Sequence, residues 1–300
     1  MDLISSNLIP YRATLYTSFM RVFKDTVPWH PMIAVITTSK GRSNIYRVDA
    51  QTPGLKEWIG PRTFAALAAR GITLENKPYE GGVRSRVDDI ADDEIGAYPM
   101  QAEAFGAGCR KYQDGLLVAL MRSGHTSVCY DGQYFYDTDH PVDLDDASKG
   151  VWQNYWASGM ALTAANFETV YATMCSRIGE EGRALDLKPT LLQVPPQLRS
   201  AAVSIVGSKS LANGADNPNF GIVDIMVVNE LSVDPTTWYL HGTDGPMKPF
   251  IVQNREGVTI KFTDVENGHV ALYEGYFDML GNARGAVGYG LPHFSSKAAA

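Results

Sequence analysis

A long helical stripe that opens at Pro99 and closes near Gly124 constrains this chain more than anything else in it. Ala102, Phe105, Cys109, Tyr112, Leu116 and Ala119 recur at alternating steps of three and four, the spacing of one continuous helix face. Proline suits the first turn of a helix, where its missing N–H leaves no bond unmade. At 1.5 Å per residue, residues 99–123 make a rod of about 37 Å. That is long for a small domain and natural for the backbone of a flat, elongated one. The 300 residues around it have room for one large or two modest domains. With 45% hydrophobic residues, a chain of this size buries about 75% of the surface it exposes when unfolded.

Before the rod, residues 10–25 carry Leu15, Phe19, Val22 and Phe23 at helical spacing, and Pro28 and Pro31 close the run. A short helix with so little core of its own must dock on its own body or on a neighbour. MIAVITT (32–38) reads as a strand. Residues 39–86 are unusual for a globular core. They combine glycines and prolines, a polar start, the amphipathic piece LKEWIGPRTFAALAARG, and the extended stretch ITLENKPYEGGVRSRVDD, in which Gly81-Gly82 signals a turn or bulge. The expectation is a long excursion of two extended arms and a small helix. After the rod, TSVCYDGQYFY predicts two short strands around Asp131-Gly132. Residues 163–178 predict a helix with Phe167, Val170, Met174 and Ile178 on one face, and TLLQV (190–194) a strand stopped by Pro195-Pro196. FGIVDIMVV, WYL, PFIVQN and VTIKF make the last third rich in strands. The fold class is α+β.

Charge and chemistry narrow the function. The net charge is -7 and the pI about 5.4, and no Lys/Arg cluster stands out, so direct nucleic-acid binding is disfavoured. Asp88, Asp89, Asp92, Asp93 and Glu94 form one acidic patch, and Asp143, Asp145 and Asp146 another; both read as solvated surface. Cys109, Cys129 and Cys175 are odd in number and far apart, which argues for reduced thiols over disulfides or zinc. The first ten residues lack a secretory pattern, and no apolar run reaches the ~18 residues of a membrane span. A soluble, cytoplasmic product is expected.

Asp137, Asp139 and His140 lie within four residues, which suggests a metal-dependent hydrolase as an enzymatic alternative, although loop chemistry explains the same residues. Cys129 with His125 or His140 would make a nucleophile pair, against which stands a buried thiol in a strand. GSKS (207–210) lacks the glycines of a phosphate loop, and GAVGYG has the wrong spacing for a dinucleotide site. His30, His241, His269 and His293 are scattered. No catalytic, cofactor-binding or metal-binding residue is expected, and no cofactor, so a structural protein is favoured over an enzyme.

Several blocks follow one another in a fixed order: LKEWIGPR (55–62), ITLENKPYE (72–80), DDIADDEIGAY leading into the rod, CYDGQYFYDTDHP (129–141), LTAANFETVYATM (162–174) and LKPTLLQVPPQL (187–198). As an ordered set they resemble the major capsid (head) protein family of Mu-like bacteriophages, the T-type major head subunit. The resemblance implies the Hong Kong 97-type phage capsid fold. On that template residues 1–36 form an N-terminal arm and 37–86 an extended loop. Residues 87–157 form a peripheral domain with the spine helix 99–123, 158–270 are mainly an axial domain, and 271–300 return to the peripheral one.

The implied function is self-assembly into hexamers and pentamers of an icosahedral tailed-phage head around double-stranded DNA. An encapsulin-like nanocompartment shell is the structural alternative. The implied partners are further copies of the chain, scaffold, portal and decoration proteins, and packaged DNA held without sequence-specific contacts; no membrane is implied. The implied localisation is the virion, assembled in the host cytoplasm. For assembly, Trp58, Ile59, Phe64 and Leu67, flanked by Glu57 and Arg62, are expected to lie on an adjacent subunit, as are Leu15, Phe19 and Phe23 of the N-terminal helix.

Overall fold

The computed structural model describes residues 3–47, 71–91, 96–144, 146–179, 183–211, 213–263 and 275–300. Helix α1 (Leu3–Asp25) leads through a single turn, α2 (His30–Ile33), into β1 (Ala34–Thr38). Then come β2 (Ser43–Arg47), β3 (Gly71–Glu75), β4 (Lys77–Arg86), the short α3 (Val87–Ala91) and the rod, α4 (Tyr98–Ser123). Three two-residue strands follow: β5 (His140–Pro141), β6 (Val151–Trp152) and β7 (Tyr155–Trp156). The remainder is α5 (Ala164–Cys175), β8 (Leu191–Val194), α6 (Arg199–Ala202), β9 (Asp224–Val227), β10 (Thr237–His241), β11 (Phe250–Phe262), β12 (Tyr276–Tyr289) and β13 (Ser295–Ala299).

Two sheets organise these elements. The first has the order β1-β11-β12-β4, with β1 parallel to β11 and the other pairs antiparallel. The second has the order β7-β13-β10-β8-β9. Between them lies a core built from the second half of α4 (Leu117, Val118, Met121), from Phe135 and Tyr136, and from Tyr239, Phe250 and Val252 of the sheets. A separate core under α5 joins Phe167, Val170 and Met174 to Leu192, Val194, Trp238 and Leu240. Thr163 caps α5 by accepting a hydrogen bond from the Asn166 amide at 3.3 Å, which fixes where that helix starts.

Several expectations change. PFIVQN and VTIKF are one strand, β11, and its pairing with β12 shifts register between Asn254 and Glu256 and again before Thr259; these irregularities, beside Gly257, made it read as two strands. Strand β4 is not part of an excursion, because it pairs along its whole length with β12. Nor do Gly81 and Gly82 make a turn. Gly81 faces Gly281 across the β4–β12 pair, and a Cβ on either would come within 3.0 and 2.7 Å of the Phe105 ring. The two glycines cut a slot in the sheet, and Phe105 of α4 fills it. Gly281→Val, which suits a strand by propensity, is therefore expected to destabilise the subunit by about 2–3 kcal/mol through overpacking. Urea unfolding would measure this, and an unchanged midpoint would show that the slot is not needed.

Strand β11 is a central strand of the first sheet, while Ser295–Ala299 lies between β7 and β10 in the second. The two extended arms of the 39–86 region are β2 and β3, paired with each other from Ser43↔Glu75 to Arg47↔Gly71.

Candidate assembly surface

The N-terminal helix is docked on its own subunit. Tyr11, Leu15 and Phe19 fall one turn apart, and each is at most 3% exposed. They pack against Val83 of β4, Ala102 of α4, and Phe277 and Met279 of β12. The Tyr11 hydroxyl is 2.8 Å from Ser85 Oγ, and Arg21 pairs with Glu103. Close approach depends on Gly106, whose added Cβ would sit 2.6 Å from the Phe19 carbonyl oxygen. Leu15 and Phe19 are thus buried within their own subunit. Phe23 is half-buried, stacked on Phe19 at 5.5 Å under the Arg110 guanidinium. What α1 and the following turn leave open are Ile9, Tyr16 and Val27, at 69%, 46% and 82% exposure.

One carboxylate ties that arm to the rod. Asp114 of α4 is fully buried and accepts from the backbone amides of Trp29 and His30 at 3.3 and 2.9 Å and from His30 Nδ1 at 2.8 Å. A count of apolar residues passes over it, yet it closes the start of α2.

The β2–β3 ribbon is tied to the first sheet along its described length. Tyr46 donates to Gln253 Oε1 at 2.7 Å, and Asn76 Nδ2 donates to Ser39 Oγ at 2.9 Å. Leu74 packs with Ile251 and Ala286 against the first sheet. Ile45 on the ribbon is 71% exposed. Glu57, Trp58, Ile59, Arg62, Phe64 and Leu67, together with the small amphipathic piece, lie outside the described residues.

The loop considered for metal chemistry is committed to structure. Asp137 accepts the amides of Tyr134 at 3.0 Å and Thr138 at 2.8 Å. His140 Nδ1 lies 2.6 Å from Asp131 Oδ2, inside the protein, and its ring stacks on Trp152 at 4.4 Å. A hydrogen bond with Asp137 raises the Asp139 carboxyl above the usual range. Among the described residues no group of three His, Cys, Asp or Glu side chains is placed to hold a metal ion. Burial pushes the Cys129 thiol far up, and its supposed partners are engaged elsewhere, His140 with Asp131 and His125 with Lys297 Nζ at 3.2 Å. Cys109 on the rod is likewise pushed up to about 11 by burial. Neither thiol has the thiolate character a nucleophile needs. The acidic patches also serve local structure: Asp89 takes the Tyr98 hydroxyl, Asp146 caps a turn through the Ser148 amide at 3.0 Å, and Asp143 pairs with Lys149 at 2.5 Å. No described helix is long and apolar enough to cross a membrane.

The arrangement is a subunit with a docked arm, a β2–β3 ribbon packed on the first sheet and exposed apolar side chains at both, without a nucleophile or metal cluster among the described residues. A profile of the family described as "Mu-like prophage major head subunit gpT" matches residues 10–150, 145–231 and 226–299. The chain belongs to the Mu-like major head subunit family. Among curated relatives of this head subunit, the Mu-like prophage FluMu major head subunit of Haemophilus influenzae is 35% identical over 185 residues, 60% of this chain and 57% of the relative. The major capsid protein of Escherichia phage Mu is 37% identical over 132 residues, 43% of each chain. The aligned part thus spans about half the length of these relatives.

Among solved structures, the procapsid of bacteriophage JBD30 is similar over 97% of this chain and 75% of that one, with a TM-score of 0.59 and 23% identity. The JBD30 capsid is similar over 69% and 92%, with a TM-score of 0.53 and 31% identity. A virus-like particle from Pyrococcus furiosus shares the fold at 9% identity, with a TM-score of 0.55. The head subunit therefore has the α+β phage capsid fold of the Hong Kong 97 type.

Proposed function

We propose that this head subunit self-assembles into the hexamers and pentamers of a closed icosahedral shell around double-stranded DNA, and that it has no enzymatic activity. The observation that carries this reading is the family match running through residues 10–299 on a fold in which exposed apolar groups sit on the arm and ribbon. The four-stranded sheet with α1 and α4 corresponds to a peripheral unit, and the five-stranded sheet with α5 to an axial one. The segment 48–70, with Trp58, Ile59, Phe64 and Leu67, supplies an apolar face for an adjacent copy. Obligate interfaces of this kind bury about 2,000–5,000 Å². Scaffold, portal and decoration proteins are the further partners, and the virion, built in the host cytoplasm, is the location. A net charge of -7 suits a wall that does not grip phosphate.

The test is particle size. The purified full-length chain, on a sizing column and in negative stain, is expected to form closed shells, and a persistent 32.8 kDa monomer would overturn the reading. Glu57→Lys and Arg62→Glu are each expected to reduce shell yield at least tenfold. Normal shells from both would remove segment 48–70 from the assembly surface.

A further inference from the structure

Arg177, two residues beyond the end of α5, is 3% exposed. Its guanidinium donates to the carbonyl of His293, to the carbonyl of Gln153 at 3.2 Å, and to Ser296 Oγ at 2.7 Å, and lies 4.8 Å over the Trp152 ring. All three acceptors are neutral, and among the described residues it makes no ion pair. Among the described residues its Nε–H has no hydrogen-bond partner, and neither does the indole N–H of Trp152 beside it. A third such atom, Nδ1 of His293, belongs to a ring that packs tilted against Trp152 at 4.3 Å.

Buried charge is tolerated when a counter-charge or a full set of hydrogen bonds accompanies it. Here the positive charge has neither. The negative end of α5 offsets part of it, because a cation near the last turn of a helix is favoured, but a helix end does not supply the acceptor that two buried N–H donors lack. Burial accordingly holds the guanidinium down to about 9. Over this cluster opens a surface cleft of about 470 Å³, lined by Arg177 and Trp152 with Thr138, Thr173 and Ser176. At its rim Val151 is 63% and Ile178 39% exposed. A buried charge beneath a mixed rim of polar groups, Lys149 among them, and two exposed apolar side chains is the anatomy of a protein contact in which one ion pair is desolvated by its surroundings.

We propose that this cleft receives a carboxylate side chain of a second copy of the chain, which pairs with Arg177 and takes the free N–H groups of Arg177 and Trp152. The chain supplies such groups in excess, with 33 acidic against 26 basic residues. The donors are closed off in the single subunit, so the incoming carboxylate must shift Trp152 or Arg177 slightly to reach them, and the contact forms on assembly. This rests on the head-subunit reading in that the second copy is a neighbour in the shell.

Two measurements on the full-length chain test it. In assembled shells, electron cryo-microscopy is expected to show a neighbour's Asp or Glu within hydrogen-bond distance of Arg177 or Trp152. A cleft that is empty, holds ordered water only, or holds a free ion overturns the proposal. On unassembled chain, acetate is the probe. At matched ionic strength it should raise the melting temperature by about 2 °C or more over chloride, and Trp152→Phe, which keeps the stack and removes one N–H, should reduce that gain at least twofold. Arg177→Met should abolish it, and should it fail to fold, the Trp152 variant still decides. No acetate effect on the native chain overturns the proposal even where no shells form, whereas failure to form shells alone counts against the assembly reading.

Discussion

Replacing Gly106 with leucine is expected to destabilise the subunit by about 3 kcal/mol or more and to loosen the whole N-terminal helix. The Cβ alone would lie 2.6 Å from the Phe19 carbonyl oxygen, and that atom is backbone, so no side-chain rotation relieves the clash. The added bulk must push α1 away from α4. As it leaves, Tyr11, Leu15 and Phe19 lose contact with β4, α4 and β12, and each such side chain contributes about 1.5–3 kcal/mol when fully buried. Partial relaxation keeps the loss below the sum. Denaturant unfolding gives the energy, and hydrogen exchange over residues 9–25 shows whether the helix has come free. Tyr16→Ala, on the exposed side of α1, serves as the control and should change stability by no more than about 0.5 kcal/mol. Native stability with α1 fully protected in the Gly106 variant would show that the helix does not depend on this close approach.

Acid is expected to weaken the fold through two histidines that folding keeps neutral. His241, the last residue of β10, has Nε2 3.0 Å from Gln193 Oε1, no partner at Nδ1 among the described residues, and rings of Tyr239 and Phe250 around it. Burial lowers it from 6.5 to about 3. His293 is pushed well below its ordinary value, first by burial, then by Arg177 and His140 nearby. The sign follows from proton binding. Below about pH 6.5 the unfolded chain takes up a proton at each imidazole that the folded chain refuses, so stability falls as pH drops. For His241 the loss runs until the folded form also protonates near 3. At about 1.4 kcal/mol per pH unit, it amounts to roughly 3–5 kcal/mol over that window. Urea unfolding at pH 7, 5.5 and 4.5 measures the slope, and His241→Gln should flatten it by about one proton. Equal slopes in the native chain and the variant would remove His241 as a cause.

The rod shows how far the sequence could be read. Its length came from Pro99 and the apolar spacing, and α4 begins one residue earlier and ends where expected. Its buried face agrees at Ala102 and then drifts: Leu117, Val118 and Met121 are buried, whereas Leu116 is half-buried and Ala119 exposed. Alternating steps of three and four average 3.5 residues per turn, while a straight helix needs 3.6, about 20° of error per seven residues. Gly106, Gln113 and Asp114 on the true face were invisible because they are not apolar, and each acts through backbone approach or hydrogen bonding. Gly81 read as a turn signal for a related reason: its use, with Gly281 opposite it, is to make room for Phe105, a contact between residues far apart in the chain. The charge at Arg177 had no local signal, since its partners come from residues 153, 293 and 296. By contrast Phe167, Val170 and Met174 were legible because α5 is short, regular and capped by its own Thr163.

The place of β13 between β7 and β10 sets a timetable for synthesis. β10 is finished at residue 241, but the strand that shields its second flank starts at 295. At about 5–20 residues per second, a ribosome needs several seconds to cover that gap. For that interval the strand bearing Trp238 and Leu240 has one ladder of backbone groups unclaimed, an open template for stray pairing. The half of the molecule holding the second core is therefore the last to shut, and a nascent chain has no finished mating surface until its own interior has closed.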